Sequence, residues 1–200
     1  MNKKIYSSAI KKTPYKYSIS KKIAKLIIDG NGRQEVFDKC YTQNYLEIES
    51  PDRRKEISNV IYMRLINIDE FLLKQFYEGD VETSKFILVY AIAKSDRLFF
   101  DFMFEVYREA LVGNKDYISI DDFENFFAAK KETDLIVASW GRYTLTQLAK
   151  GYRNILADSG MGVREKRNIK AVKLLIHPAV QDCIKQIGDV VYLKALLGEG

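Results

Sequence analysis

The residues best suited to chemistry stand late in the chain, between Arg142 and Lys170. Thr144, Gln147, Lys150, Arg153 and Asn154 recur at spacings of three and four, and Arg142 lies just ahead of them. A second set, Arg164, Lys166, Arg167, Asn168 and Lys170, surrounds a short basic turn. These are the side chains that bond phosphate oxygens and base edges. The plainer account of both sets is a solvated helix face and a solvated turn. A third set, Lys11 and Lys12 among Tyr6, Tyr15 and Tyr17, lies near the start. Such an arm follows a nucleic-acid backbone and stacks its rings on exposed bases, or it docks on the acidic part of the protein or on another subunit.

Catalytic chemistry finds little material. The one histidine, His177, precedes Pro178, where a structural role is the simpler account. Two isolated cysteines, Cys40 and Cys183, are too few for a structural zinc. Gly160-Met161-Gly162 lacks the third glycine and the following helix of a phosphate loop. Asp121, Asp122 and Glu124 read as an acidic first helical turn rather than a metal site. Asp158 and Glu165 are isolated, so no acid/base pair emerges. The expectation is a protein that is not an enzyme and needs no metal or cofactor.

The elements that must position these residues follow from apolar spacing and stop signals. Residues 144–157 form a basic helix after a break at Gly141, with Leu145, Leu148 and Leu156 inward together with Tyr152 or Ile155. Residues 162–167 and 171–176 read as two strands around Lys166-Arg167-Asn168. Thr133 is expected to cap a helix through Ile136, Ala138 and Trp140. Helix, break, basic helix and basic hairpin is the order of a winged helix-turn-helix, whose second helix enters the major groove while the wing meets phosphates or the minor groove.

Upstream, residues 1–18 show no periodicity and are expected to form an extended or partly ordered arm. Ser18 or Ser20 caps a short helix over 21–28, and residues 33–43 form a second. Ser50-Pro51 starts a helix to about Ile66, with Ile57, Val60, Ile61 and Leu65 inward and Arg53, Arg54, Lys55 and Arg64 on other faces. Arg53 to Lys55, three basics in a helix's first turn, fit an anion partner or, more simply, a network with Asp52 and Glu56. Asp69 caps a helix ended by Gly79. Residues 80–113 hold the densest aromatic content and read as two core helices meeting at Ser95-Asp96. Residues 114–118 read as a loop, and Ser119 caps a helix over 121–131 with Phe123, Phe126 and Phe127 on its apolar face. His177-Pro178 and Asp189 start the last two helices.

With 200 residues and 47% apolar side chains the chain can bury a real core. The net charge of +5 hides a partition. Residues 1–30 carry eight Lys against one Asp, and residues 141–175 eight basic side chains against two acidic. Residues 31–140 carry fourteen basic against twenty-one acidic. Two basic segments thus bracket an acidic body, which suggests a polyanion-facing surface or basic segments docked on that body. The longest uninterrupted apolar run, residues 86–93, is far short of the roughly 20 residues a membrane helix needs. The basic N-terminus has no apolar stretch behind it, so no secretory signal is expected. With reduced, buried thiols, a cytoplasmic protein is the expectation.

Several strings together resemble one family: YSS at residues 6–8, SPDRRKEI at 50–57, AIAKSDRLFFDFMFEVYREAL at 91–111, FF at 126–127 and GDVVYLKALLG at 188–198. In this order and spacing they are similar to BrxA, the small protein of bacterial BREX phage-resistance systems, over nearly the whole chain. None is a catalytic motif. The resemblance implies a cytosolic, mainly helical defence component linked to nucleic-acid binding and likened to the RNA-binding antitermination protein NusB. It implies partners among the BREX methyltransferase, ATPase and phosphatase-like proteins. The family has also been labelled an inner-membrane protein, which this sequence does not support.

The combined expectation is a mainly α protein: a basic arm (1–18), a helical bundle (19–113) and a winged helix-turn-helix-like region with a small β-hairpin (114–200). It is expected to bind double-stranded DNA without strong sequence choice. A protein-interaction scaffold within the BREX complex and RNA binding of the NusB kind are the alternatives.

Overall fold

The computed structural model describes residues 5–198, apart from 114 and 116. The first four residues of the expected arm, and part of the loop expected at 114–118, lie outside the described residues.

A 3-10 turn, Ala9–Lys11, precedes α1 (Tyr17–Ile28). This helix starts at Tyr17 rather than at the serine-capped position, and its N-cap, Lys16, is left-handed with no side-chain cap. Packing holds the start instead: the Tyr17 ring stacks on Tyr15 and meets Phe76 edge-on, and its hydroxyl donates to Ser84 Oγ at 3.0 Å. α2 (Arg33–Phe37) runs on through a π-helical turn, Asp38–Thr42.

The next helices begin where short polar side chains accept orphan amides, as N-caps do. Ser50 caps α3 (Pro51–Leu65), with proline at the first position. Asp69 and Asp80 accept from Phe71 N and Thr83 N, both at 2.8 Å, to start α4 (Glu70–Glu78) and α5 (Val81–Ser95). Asp96 turns the chain and accepts from Phe99 N at 2.9 Å. From there α6 (Arg97–Phe102), a π-helical turn (Met103–Tyr107) and α7 (Arg108–Val112) follow without interruption. The two core helices expected over residues 80–113, with their corner at Ser95-Asp96, are present.

The remaining third is mixed. β1 (Tyr117–Ile118) is a strand where a loop was expected; two residues give no alternation to read. Ser119 and Asp122 form a reciprocal capping box at the head of α8 (Ile120–Thr133). Thr133 ends α8 and bonds back to Ala129 O, so the cap of the next helix is Asp134, whose carboxylate accepts from Ile136 N and Val137 N. That helix, α9 (Leu135–Ala138), stops short of Trp140. α10 (Arg142–Ser159) begins at Gly141 and ends at Gly160 in the left-handed region (φ 83°). β2 (Gly162–Glu165) and β3 (Asn168–Ala171) form the hairpin, and β1 pairs with the outer side of β3, giving the antiparallel order β1-β3-β2.

The second strand of the hairpin therefore lies earlier than 171–176. That later run is apolar, but most of it leaves the sheet. Leu174 and Ile176 turn into the core, while Leu175 N and His177 N donate to Glu82 and Thr83 on the first turn of α5. His177 caps α11 (Pro178–Gln186), its Nδ1 accepting from Ala179 N, and α12 (Val190–Leu197) closes the chain.

One hydrophobic core runs through these elements, and side chains on both sides of residue 113 share it. Its centre is aromatic. Phe102 lies 4.9 Å from Phe123, 5.4 Å from Phe126 and 5.0 Å from Tyr152, and Phe99 lies 5.1 Å from Tyr152, in centroid distances. Stacked and edge-on pairs of this kind each add about 0.5–1.5 kcal/mol beyond area burial. α6 thereby fixes both α8 and α10, and the placement of the basic helix depends on it.

Residues 5–16 lie on the body, with Tyr6, Ile10, Thr13 and Tyr15 buried. Gly151 of α10 makes this docking close: a Cβ there would stand 2.9 Å from Ile10 Cγ2. Arg64, expected on a surface face of α3, is buried. Its guanidinium donates to Thr13 O at 2.6 Å and Pro14 O at 2.9 Å, clasping the docked segment. Burial pulls Arg64 down to about 10, which the Asp96 charge opposes.

Candidate nucleic-acid interface

α10 presents three faces. Leu148 and Leu156 are buried as expected, both Tyr152 and Ile155 are buried with them, and Leu145 is only half-buried. Thr144 and Gln147 fall at helical spacing beside Gly151, on the flank that meets Ile10. Arg142, Lys150, Arg153 and Asn154 line an open groove of about 590 Å³ between α8 and α10. Thr144 and Gln147 are not in its lining.

The hairpin joins the same groove through Arg164. Its guanidinium donates to Asn154 Oδ1 at 2.8 Å, tying the hairpin to the basic helix. Burial and the neighbouring Arg164 charge both lower the Arg153 guanidinium from its ordinary value. Lys166 and Arg167 sit exposed at the turn, Lys166 in a left-handed conformation (φ 53°). Asn168 is half-buried opposite Glu165, and Lys170 is exposed on the face shared with Val163 and Tyr117. Lys11 and Lys12 lie away from this group, on the docked segment, and Lys12 stands 3.4 Å from Glu56.

Sequence reasoning missed Lys131, which lines the groove from the last turn of α8. A basic residue at a helix end is common for dipole reasons, so nothing in the sequence marked it. The groove's apolar floor was also missed: Ile120, Phe123 and Phe127 from α8, with Leu145 and Ala149 from α10. Alanines on both walls, Ala128 and Ala149, leave the space open. Lys131, Arg142, Lys150, Arg153 and Arg164 form no ion pair among the described residues. Of the basic run at the head of α3, Arg53 binds Glu56 at 2.7 Å, while Arg54, Lys55 and Asp52 form no ion pair among the described residues.

The chain as a whole matches the BrxA family model over residues 4–188. The chain belongs to the BrxA family. A "BREX protein BrxA" of Bacillus cereus (strain H3081.97) is 34% identical over 199 residues, covering both chains completely. Another "BREX protein BrxA", from Escherichia coli O9:H4 (strain HS), is 22% identical over 90% of this chain and 84% of its own length. Among solved structures, an uncharacterized protein from Magnetospirillum magneticum superposes with a TM-score of 0.84 at 19% identity, covering 97% of this chain and 99% of that one. That likeness concerns the fold alone.

Among the described residues, no group of three or more His, Cys, Asp or Glu side chains is placed to hold a metal ion. Cys40 is fully buried, and burial pushes its thiol up to about 11, away from the reactive thiolate. No helix among the described residues is long and apolar enough to cross a membrane.

Proposed function

We propose that this protein is a DNA-binding component of a BREX phage-defence system, working in the cytoplasm and without catalysis of its own. The element order β1, α8, α9, α10, β2, β3 with strands ordered β1-β3-β2 supports a winged-helix reading, with α10 as the helix offered to the major groove and Lys166-Arg167 as the tip of the wing. The observation that carries the reading is the set of unpaired cations on one flank of α10, continued by Arg164 onto the hairpin. Cations that form no ion pair among the described residues are available to phosphates. Family membership supports assembly with the BREX methyltransferase, ATPase and phosphatase-like proteins.

The test is a salt titration of binding to random duplex DNA. Each phosphate contact contributes about 0.9 to the slope of log affinity against log salt. The Lys150→Glu, Arg153→Glu double variant is expected to weaken binding at least about tenfold at low salt and to flatten that slope by about two contacts. No binding at low salt, or an unchanged slope in the double variant, sinks the reading. Single-stranded RNA that competes better than duplex DNA would assign the surface to RNA, in the manner suggested by the NusB likeness.

A further inference from the structure

The groove between α8 and α10 has a composition that duplex DNA does not explain. Its floor is apolar, and its volume of about 590 Å³ falls within the roughly 300–1,000 Å³ range of ligand-anchoring pockets. The outside of a duplex offers phosphates, which gain nothing from such a floor. The rim is cationic: five Lys or Arg side chains line the groove against one acid, Glu124. α9, which joins the two walls, adds apolar surface, with Leu135 90% and Ile136 39% exposed. A leucine so exposed on a short, well-capped helix is not serving the protein's own core.

We propose that this groove docks an acidic amphipathic helix of a partner protein. Aliphatic side chains of the partner enter the recess left by Ala128 and Ala149 and cover Leu135, while its carboxylates meet Lys131, Arg142, Lys150, Arg153 and Arg164. Two helical walls with an apolar floor suit the helix-in-groove mode, in which residues at positions i, i+3, i+4 and i+7 supply the anchors. Charge complementarity decides the partner's sign. An apolar peptide without acids would leave the crowded cations uncompensated, and a purely acidic one would leave the floor wet. Docking goes beyond the DNA reading and uses some of the same rim cations, so the two ligands exclude one another.

The experiment uses the full chain and a fluorescent synthetic peptide of about 18 residues, five helical turns, with Leu at helical spacing and Glu elsewhere. The control has the same composition in scrambled order. Fluorescence anisotropy is expected to show the amphipathic peptide binding at least about tenfold more tightly than the scrambled one. Leu135→Ser, which removes only exposed surface, is expected to weaken the peptide severalfold and leave duplex DNA binding unchanged. Ala149→Phe, which fills the floor, abolishes peptide binding, with the melting temperature checking that the variant is folded. Equal binding of the two peptides, or indifference to both substitutions, overturns the proposal and leaves a simple polyanion surface. DNA binding without selective peptide binding rejects the groove and spares the DNA reading; the converse rejects the DNA reading and keeps the groove.

Discussion

Two arginines on neighbouring parts of the molecule have opposite roles. Arg64 lies inside, with its donors engaged by two carbonyls of the docked N-terminal segment. Arg153 lies at the groove with no carboxylate, beside a second arginine that repels it. The contrast extends to their surroundings. In the first half, Lys12, Lys22, Lys25, Arg53 and Lys74 each meet an acid of the same chain. Around the groove the cations are left over. Net charge alone does not distinguish the two regions; the arrangement of partners does.

Breaking the buried half of this contrast has the largest expected effect. Arg64→Leu strands the carbonyls of Thr13 and Pro14 and is expected to lower unfolding free energy by about 3 kcal/mol or more in urea denaturation. Arg153→Ala is expected to change it by less than about 0.5 kcal/mol. Equal effects would mean that the docked segment is not clamped by Arg64.

Asp96 sharpens the same comparison through pH. Burial raises its carboxyl to about 6 from 3.8, against the opposing pull of Phe99 N and Arg64. Its contribution to stability is therefore full below its unfolded value and lost as pH rises through about 6, roughly 3 kcal/mol in all. Asp96→Asn keeps a capping side chain and removes the titration. The variant should gain on the wild type between about pH 4 and pH 7, and a difference that stays flat across that window would refute a buried, titrating Asp96.

Gly151→Ala tests the seat of the N-terminal segment on α10. In an exposed helix the change gains about 1 kcal/mol. Here the new Cβ meets fully buried Ile10 at 2.9 Å, so a net loss of about 1–2 kcal/mol is expected in thermal or chemical melts. A gain would show that the segment is not seated there.

A modest effect of opposite sign is expected at Tyr152. Its hydroxyl is buried in the aromatic cluster and finds no hydrogen-bond partner among the described residues. Tyr152→Phe should keep the ring contacts and stabilise the protein by about 1 kcal/mol. A clear loss of stability would reveal a polar role for that hydroxyl.

Much of the frame was legible because its signals are local. Ser50, Asp69, Asp80, Asp96 and Ser119 accept orphan amides within three residues of themselves, and Gly160 ends α10 through its own backbone conformation. The apolar spacing of residues 148, 152, 155 and 156 likewise announced the buried face of α10. The strands were less legible. Most of the run at 171–176 is apolar because of the core, not because of a ladder, and β1 is too short to show a pattern.

The candidate site was legible as a list of residue types, not as a site. Sequence placed Arg142, Lys150, Arg153, Asn154 and Arg164 in one basic segment, and periodicity put most of them outside the core. Which of them stand together depends on contacts far apart in the chain. α6 holds α10 through Phe99 and Phe102, Ile10 occupies the flank that carries Thr144 and Gln147, and two alanines keep the groove open. Caps, periods and charge totals are properties of neighbouring residues, so the sequence by itself determined them. Whether a cation is neutralised or left available is a property of what the fold brings beside it, and only the tertiary structure decided that for Arg64 and Arg153.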